Sequence, residues 1–119
     1  MRLPADPRVL ADVRRVLRRW LRNLGAGDQD TARITLSVNE ACTNAIEHAY
    51  SPAPADFDFR ASASDGEVTI VVSDAGRWRT ARGPNRGHGL AMIDAAMDQV
   101  EINSGVIGTE VVMRKRMQA

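Results

Sequence analysis

The hydrophobic pattern of this chain changes its period once, at the segment Ser51-Pro52-Ala53-Pro54. Before that segment, apolar residues recur at helical spacing over residues 8 to about 24 and again over residues 28 to about 50. The prolines end the second helix, because a residue that precedes proline is pushed out of helical geometry. After them, apolar and polar residues follow the patterns of strands. The chain therefore divides into a helical part and a part dominated by strands.

Four strands are predicted after the prolines. The first two, about residues 57–63 and 67–73, are joined by Ser64-Asp65-Gly66, which is a strong hairpin signal. The apolar run Val68-Thr69-Ile70-Val71-Val72 is typical of a central strand that is buried on both faces.

A short helix, Leu90 to about Met97, is predicted before a second hairpin of strands near 98–104 and 108–116. The resulting order is ααββαββ. This order predicts an α+β fold, a two-layer sandwich in which helices cover one face of a mostly antiparallel sheet.

The length of 119 residues fits a single domain, residues 1–119, with a modest core. No apolar run is long enough to cross a bilayer, so no membrane contact is expected. Cys42 is the only cysteine; an internal disulfide is excluded, and a cytoplasmic location is expected. The Cys42 side chain is predicted to pack as a small buried hydrophobe.

The predicted apolar stripe of the second helix consists of Ile34, Val38, Ala41, Ala45 and Ala49. Glu40 and Asn44 lie four residues apart on the opposite side of that helix, and therefore on one face. Asparagine is a poor helix-interior residue, and the same face carries Glu47 and His48. Mg²⁺ takes one or two protein oxygens and fills its shell with water and phosphates, so we interpret Asn44 as a Mg²⁺ ligand and Glu40 as a general base. A solvated helix face is the alternative interpretation, and a histidine such as His48 more often hydrogen-bonds locally or contacts water.

Two later segments complement that helix. Asp74 ends the apolar strand, where its carboxylate is placed to accept the exocyclic amine of adenine, and Gly76 lets the backbone approach the ring. Gly87-His88-Gly89 precedes the helix that begins at Leu90, and free N–H groups at a helix start favour a phosphate. Thr109 enters the last strand near Asp74. Taken in isolation, Asp74 is better interpreted as a turn residue, and Thr109 is equally compatible with an ordinary strand threonine.

Charge is concentrated at the amino-terminal end of the chain. Residues 1–22 hold seven arginines against two aspartates, although the net charge of the whole chain is only +1. Most of these arginines belong to the first predicted helix, and a helix with this positive charge favours an acidic partner surface. Nucleic-acid binding is disfavoured, because the apolar stripe of the helix indicates that it is packed, and exposed aromatics are not interleaved with the arginines.

Together, these segments resemble the ATPase superfamily of DNA gyrase, Hsp-type chaperones, sensor histidine kinases and mismatch-repair ATPases. The closer likeness is to the anti-sigma factor serine kinases. Glu40-Ala41-Cys42-Thr43-Asn44-Ala45-Ile46-Glu47-His48-Ala49-Tyr50 resembles the N box of that family. Asp74-Ala75-Gly76 resembles its first glycine box, and Gly87-His88-Gly89-Leu90-Ala91-Met92-Ile93 its second.

This resemblance implies a Bergerat-type ATP-binding fold. Glu40 would be the base, Asn44 would hold Mg²⁺, Asp74 would bind adenine, and residues 77–88 would form a lid over the phosphates of ATP. Such kinases phosphorylate a serine of a small STAS-type antagonist (an anti-anti-sigma protein) and sequester a sigma factor. The resemblance further implies a homodimer, with a partner surface on the first helix at Arg14, Arg15, Arg18 and Arg22.

The segment Gly76-Arg77-Trp78-Arg79 is similar to kinase modules of multidomain actinobacterial regulators, which implies that this chain is a segment of a larger protein. Trp78 stands where the wider superfamily has a second glycine, and His88 where close relatives often have arginine. These departures favour an alternative, a partner-switching module without kinase activity. A detached histidine-kinase ATPase domain is disfavoured, because the short lid leaves out the longer insert expected there.

Overall fold

The computed structural model describes residues 1–49, 56–74, 92–104 and 108–117. These residues form one five-stranded sheet in which every pair of neighbouring strands is antiparallel. The strand order is β1-β2-β3-β5-β4, and the helices pack on one face of the sheet. The elements are β1 (Arg2–Pro4), α1 (Val9–Asn23), α2 (Asp28–Ala49), β2 (Asp56–Ser64), β3 (Glu67–Asp74), β4 (Gln99–Ser104) and β5 (Thr109–Arg116), with a further helical segment at 92–96. The predicted α+β sandwich is confirmed.

Helix α1 begins and ends where the sequence predicted. Asp6 accepts a hydrogen bond from the backbone N–H of Arg8 at 2.9 Å, just before the first turn. At the other end, Gly25 adopts a φ of 82°. The N–H groups of Gly25 and Ala26 then donate to the carbonyls of Arg22 and Leu21 at 3.0 Å each, which is the Schellman arrangement that ends a helix.

Helix α2 buries the predicted apolar stripe. Ile34, Val38, Ala41 and Ala45 are each at most 1% exposed. Cys42 is fully buried beside them, as predicted. The helix contacts β2 and β3, so this stripe forms the centre of the interface between the helical layer and the sheet.

The hairpin of β2 and β3 closes through Asp65 and Gly66, whose φ values are 53° and 80°. Two successive residues with positive φ make the tight turn that matches the twist of antiparallel strands. Strand β3 is central, as predicted. The prediction that it is buried on both faces is wrong, because Thr69 and Val71 are only partly buried on the face away from the helices.

Strand β1 was missed in the sequence. It has three residues, includes Pro4 and lies at an edge of the sheet, so it lacks the length and alternation that identify a strand. Its register is Arg2 to Asp58 and Leu3 to Phe57. The Met1 amino group also donates to the Phe59 carbonyl at 2.8 Å.

Within the described residues, the model contains no helix with the length and apolar character needed to span a membrane.

Candidate active site

Asp74 and Thr109 lie directly opposite each other at one end of the sheet, on β3 and β5. Asp74 follows the buried residues Ile70 and Val72 at alternate positions, so its side chain is on the face that the helices cover. Asp74 is 9% exposed and Thr109 is 2% exposed. The structure therefore brings together two residues that lie far apart along the chain.

Phe57 completes this row and was missed in the sequence. It pairs with Asp74 on the β2 side and is 1% exposed. The signal was present, because the two-residue turn at Asp65-Gly66 places Ser64 opposite Glu67 and, by counting back, Phe57 opposite Asp74. The row of Phe57, Asp74 and Thr109 thus offers an apolar wall, a carboxylate and a hydroxyl at the same end of the sheet.

The direction of α2 follows from a buried ion pair at the other end of the sheet. The Lys115 ammonium is 4.0 Å from the Asp30 carboxylate, near the start of α2, and Lys115 pairs with Val68 at the start of β3. Helix α2 therefore begins beside the start of β3 and extends toward Asp74.

The lengths agree with that direction. From Asp30 to Asn44, α2 advances by about 21 Å at the usual helical rise. From Val68 to Asp74, β3 advances by about 20 Å. A helix that follows the direction of β3 would therefore bring Asn44 level with Asp74, with Glu40 one turn earlier.

Glu40 and Asn44 are half-buried and flank the apolar stripe of α2. They were predicted on the side of the helix opposite that stripe, and neither is fully exposed there. On the α1 side of the same helix, Asn39 accepts a hydrogen bond from the Arg14 guanidinium at 2.8 Å. Asn44 follows Asn39 by five positions and is turned from it by about 140°. The Glu40 and Asn44 side chains therefore lie on the side of α2 that faces away from α1.

Several predicted site residues lie outside the described part of the chain. They are Gly76, Gly87, His88, Gly89 and Leu90. The side chain of His48 is not described either, although its backbone belongs to α2.

A cavity of about 440 Å³ opens at the Asp74 end of the sheet. Asp74, Thr109 and Phe57 are among its lining residues. Asp56, Asp58 and Glu110 also line it, together with Arg2, whose guanidinium is 3.4 Å from the Asp58 carboxylate. Neither Glu40 nor Asn44 is among its described lining residues. Four carboxylates and one guanidinium line this cavity, so its charge disfavours a phosphate.

The side-chain oxygens of Glu40 and Asn44 suit a hard cation that binds together with a phosphate ligand. The carboxamide of Asn44 and the carboxylate of Glu40 present oxygen atoms one turn apart, and oxygen is what Mg²⁺ prefers. Among the described residues, no group of three or more His, Cys, Asp or Glu side chains is arranged to hold a metal ion. A Mg²⁺ ion held here would take its other ligands from phosphates and water.

Cys42 lies within the same stretch of α2 and is not a candidate nucleophile. Burial raises the pKa of its thiol to about 12. The reactive thiolate is therefore scarce near neutral pH.

The arginines of α1 do not form a uniform surface. Arg14 is half-buried and bonded to Asn39, and Arg15 is exposed and paired with Asp12 at 2.7 Å. Arg18 and Arg22 are exposed. Arg14 thus contributes to the contact between α1 and α2, whereas Arg18 and Arg22 are the most available to a partner.

Comparison with known proteins identifies the family to which the chain is similar. A sequence profile described as a histidine kinase-like ATPase domain matches residues 3–115. The serine-protein kinase RsbW of Bacillus velezensis is 27% identical over 133 aligned positions, covering 97% of this chain and 82% of that protein. The protein of the same name from Bacillus licheniformis is 28% identical, covering 89% of this chain and 79% of its own.

Solved structures give the same result for the fold. The structure of the RsbU and RsbW domains of Rv1364c from Mycobacterium tuberculosis superposes with a TM-score of 0.78 at 30% identity. The match covers 98% of this chain but only 31% of that one. The blue-light activated histidine kinase of Erythrobacter litoralis EL346 is similar in fold alone, with a TM-score of 0.65 at 23% identity, covering 77% of this chain and 32% of that one.

Proposed function

The chain belongs to the histidine kinase-like ATPase domain family, and from that premise we propose that it is an ATP-dependent protein-serine kinase that also acts as an anti-sigma factor. Its likeness to proteins named serine-protein kinase RsbW supports this proposal. The observation that supports it best is the contact of Lys115 with Asp30, which starts α2 beside the start of β3; in that direction the helix would take Glu40 and Asn44 toward the end of the sheet where Asp74 and Thr109 lie opposite each other.

In this proposal, the adenine of ATP lies at the end of the sheet. The Asp74 carboxylate accepts a hydrogen bond from the exocyclic amine, and the Thr109 hydroxyl contacts the same ring edge. Carboxylates in the adjoining cavity repel the phosphates of ATP, which therefore extend toward α2. Gly76, Gly87, Gly89 and Leu90 are proposed to contact the nucleotide from outside the described residues, together with His48 and His88.

Glu40 is proposed as the general base. It would accept the hydroxyl proton of the substrate serine as the oxygen attacks the terminal phosphorus of ATP. Asn44 would hold Mg²⁺ through its carboxamide oxygen. When bound, Mg²⁺ would neutralise the charge that develops on the phosphate oxygens. Positioning and charge stabilisation account for most of the catalysis in phosphoryl transfer, so the half-buried location of both side chains is suitable.

The proposed protein substrate is a small STAS-type antagonist, and the proposed regulatory partner is a sigma factor. We place the partner surface on the exposed side of α1, where Arg15, Arg18 and Arg22 present positive charge to an acidic surface. A homodimer and a cytoplasmic location complete the proposal.

Calorimetric titration with Mg-ATP tests nucleotide binding. We expect saturable, magnesium-dependent binding by the wild type and its loss in Asn44→Ala. A phosphorylation assay with antagonist proteins of the same organism tests catalysis. Glu40→Gln should still bind Mg-ATP but form no phosphoserine, whereas Glu47→Gln, a matched change at an exposed site on the same helix, should keep both properties.

The outcomes separate the alternatives. Phosphorylation by Glu40→Gln at the wild-type rate would exclude Glu40 as the base. Antagonist binding without ATP, with no phosphoserine after long incubation, would instead support the partner-switching module without kinase activity.

A further inference from the structure

A second cavity lies beside β2, further along that strand than the cavity at the Asp74 end. Its volume is about 540 Å³, and Val16, Leu17 and Trp20 of α1 line one side of it. The other side is β2, from Phe59 to Ser62. Ala61 belongs to the helix-covered face of the sheet and Arg60 to the opposite face, so the cavity reaches around the edge of β2.

That edge is open in the part of the chain that the structure describes. Strand β1 pairs with β2 only at residues 56–58. Met1 and Phe59 then exchange two backbone hydrogen bonds, at 2.8 and 2.9 Å. Beyond them, β2 continues to Ser64 without a partner on that side among the described residues.

The hydrogen-bonding groups of the open edge follow from this register. Because Phe59 directs its N–H and C=O toward β1, Ala61 and Ala63 direct theirs the same way. An extended segment that continues the line of β1 would therefore form paired hydrogen bonds with Ala61 and Ala63. Unpaired edges of this kind are templates for strand addition.

The side chains around the edge specify the character of such a segment. Val16 and Met1 are 41% and 53% exposed and both line the cavity. They lie on the side where a residue opposite Ala61 would point. The residue of the added strand that lies opposite Ala61 would therefore be apolar, because it would contact Val16 and Met1.

On the opposite face, Arg60 is exposed and has no ion pair within the described residues. Two positions earlier, β1 places Arg2 against Asp58 across the same pair of strands at 3.4 Å. A residue opposite Arg60 would by the same logic be acidic. A second copy of this chain would instead bring another set of α1 arginines to the edge, which disfavours pairing between copies.

We propose that the open edge of β2, between Arg60 and Ser64, binds an extended strand of a partner protein in which acidic and apolar residues alternate. The strand lies antiparallel to β2, with its apolar side chains against Val16 and Trp20 and an acidic side chain beside Arg60. This surface does not depend on the proposed nucleotide chemistry, because it lies on the β2 edge and the exposed flank of α1.

The probe is an acetylated and amidated nine-residue peptide of alternating aspartate and valine, titrated into the full chain and followed by amide NMR. We expect saturable binding with hydrogen-exchange protection at Ala61 and Ala63. N-methylation of the valines removes the amide protons that face β2 and should abolish binding. N-methylation of the aspartates, whose amides face away, should leave binding unchanged.

A charge exchange tests the orientation. Arg60→Glu should weaken binding of the aspartate peptide about fivefold and strengthen binding of a lysine–valine peptide by a similar factor. Arg33→Glu, at an exposed site on α2, should change neither. The proposal is overturned if no saturable binding occurs, if N-methylation of the valines has no effect, or if the charge exchange does not alter peptide preference. Concentration-dependent protection of Ala61 without peptide would also overturn it, in favour of pairing between two copies.

Discussion

At the scale of single residues, Asp74 is the side chain that we propose selects the base of the nucleotide. A carboxylate accepts hydrogen bonds only, so it suits the amino group of adenine and repels the carbonyl oxygen of guanine. We expect wild-type protein to bind ATP at least about 100-fold more tightly than GTP. With GTP, the Asp74 carboxylate would face the carbonyl oxygen of guanine, and neither acceptor would receive a hydrogen bond. In Asp74→Asn the carboxamide offers a donor as well, so the preference should fall to about tenfold or less.

Calorimetric titrations of both nucleotides measure this preference. Asp56→Asn is the matched control, since Asp56 lines the same cavity but is exposed. Equal loss of preference in both variants would mean that the general charge of the cavity, and not Asp74, selects the base.

Cys42 gives the chain a pH dependence of stability in the alkaline range. Burial raises the pKa of its thiol from 9.0 to about 12. Between those values the unfolded chain loses the proton while the folded chain keeps it. The free energy of unfolding therefore falls as pH rises, by up to about 1.4 kcal/mol per pH unit.

Urea denaturation of wild type and Cys42→Ala from pH 7 to 10.5 isolates this contribution. The difference in unfolding free energy between the two proteins should be constant below pH 8 and should move in favour of the variant above pH 9. Parallel curves over the whole range would show that the thiol ionises equally in both states.

At the scale of elements, Lys115 fixes the start of α2 against the sheet. Its ammonium lies 4.0 Å from Asp30 and 3.4 Å from Asp98, whose side chains are 6% and 53% exposed. The pair with Asp30 should be the stronger of the two although it is longer, because it is buried, whereas solvent screens the pair with Asp98. In double-mutant cycles with Lys115→Met, we expect a coupling energy of about 2 kcal/mol with Asp30→Asn and about 0.5 kcal/mol or less with Asp98→Asn. A larger coupling to Asp98 would contradict this assignment.

Elements with strong local signals were predictable from the sequence. Gly25 ends α1 and the turn Asp65-Gly66 joins β2 to β3 because each needs a positive φ that glycine, or an aspartate in a tight turn, adopts readily. Strand β1 was not predictable, since its three residues are held by pairing with β2 and not by local preference. The partly exposed face of β3 was also missed, because an apolar run does not reveal how many faces neighbouring elements cover.

At the scale of the whole molecule, the candidate site depends on which end of the sheet α2 approaches. The sequence predicted α2, β3 and Asp74 separately, but their relative direction rests on the contact between Lys115 and Asp30. Such a contact joins distant parts of the chain and leaves no periodic pattern. The sequence predicted that Thr109 lies near Asp74, but it did not predict that the two residues pair directly, because the long connection between β3 and β5 does not fix their register.

Hydrogen exchange with and without Mg-ATP tests this arrangement of the whole molecule. Bound nucleotide should protect amides near Asn44 on α2, near Asp74 on β3 and near Thr109 on β5, because the proposed nucleotide site joins all three. Amides beside Glu67 and Arg116, which pair at the other end, serve as the internal control and should exchange at unchanged rates. Protection confined to the Glu67 end, or spread evenly along β3, would mean that the nucleotide does not bind where these elements converge.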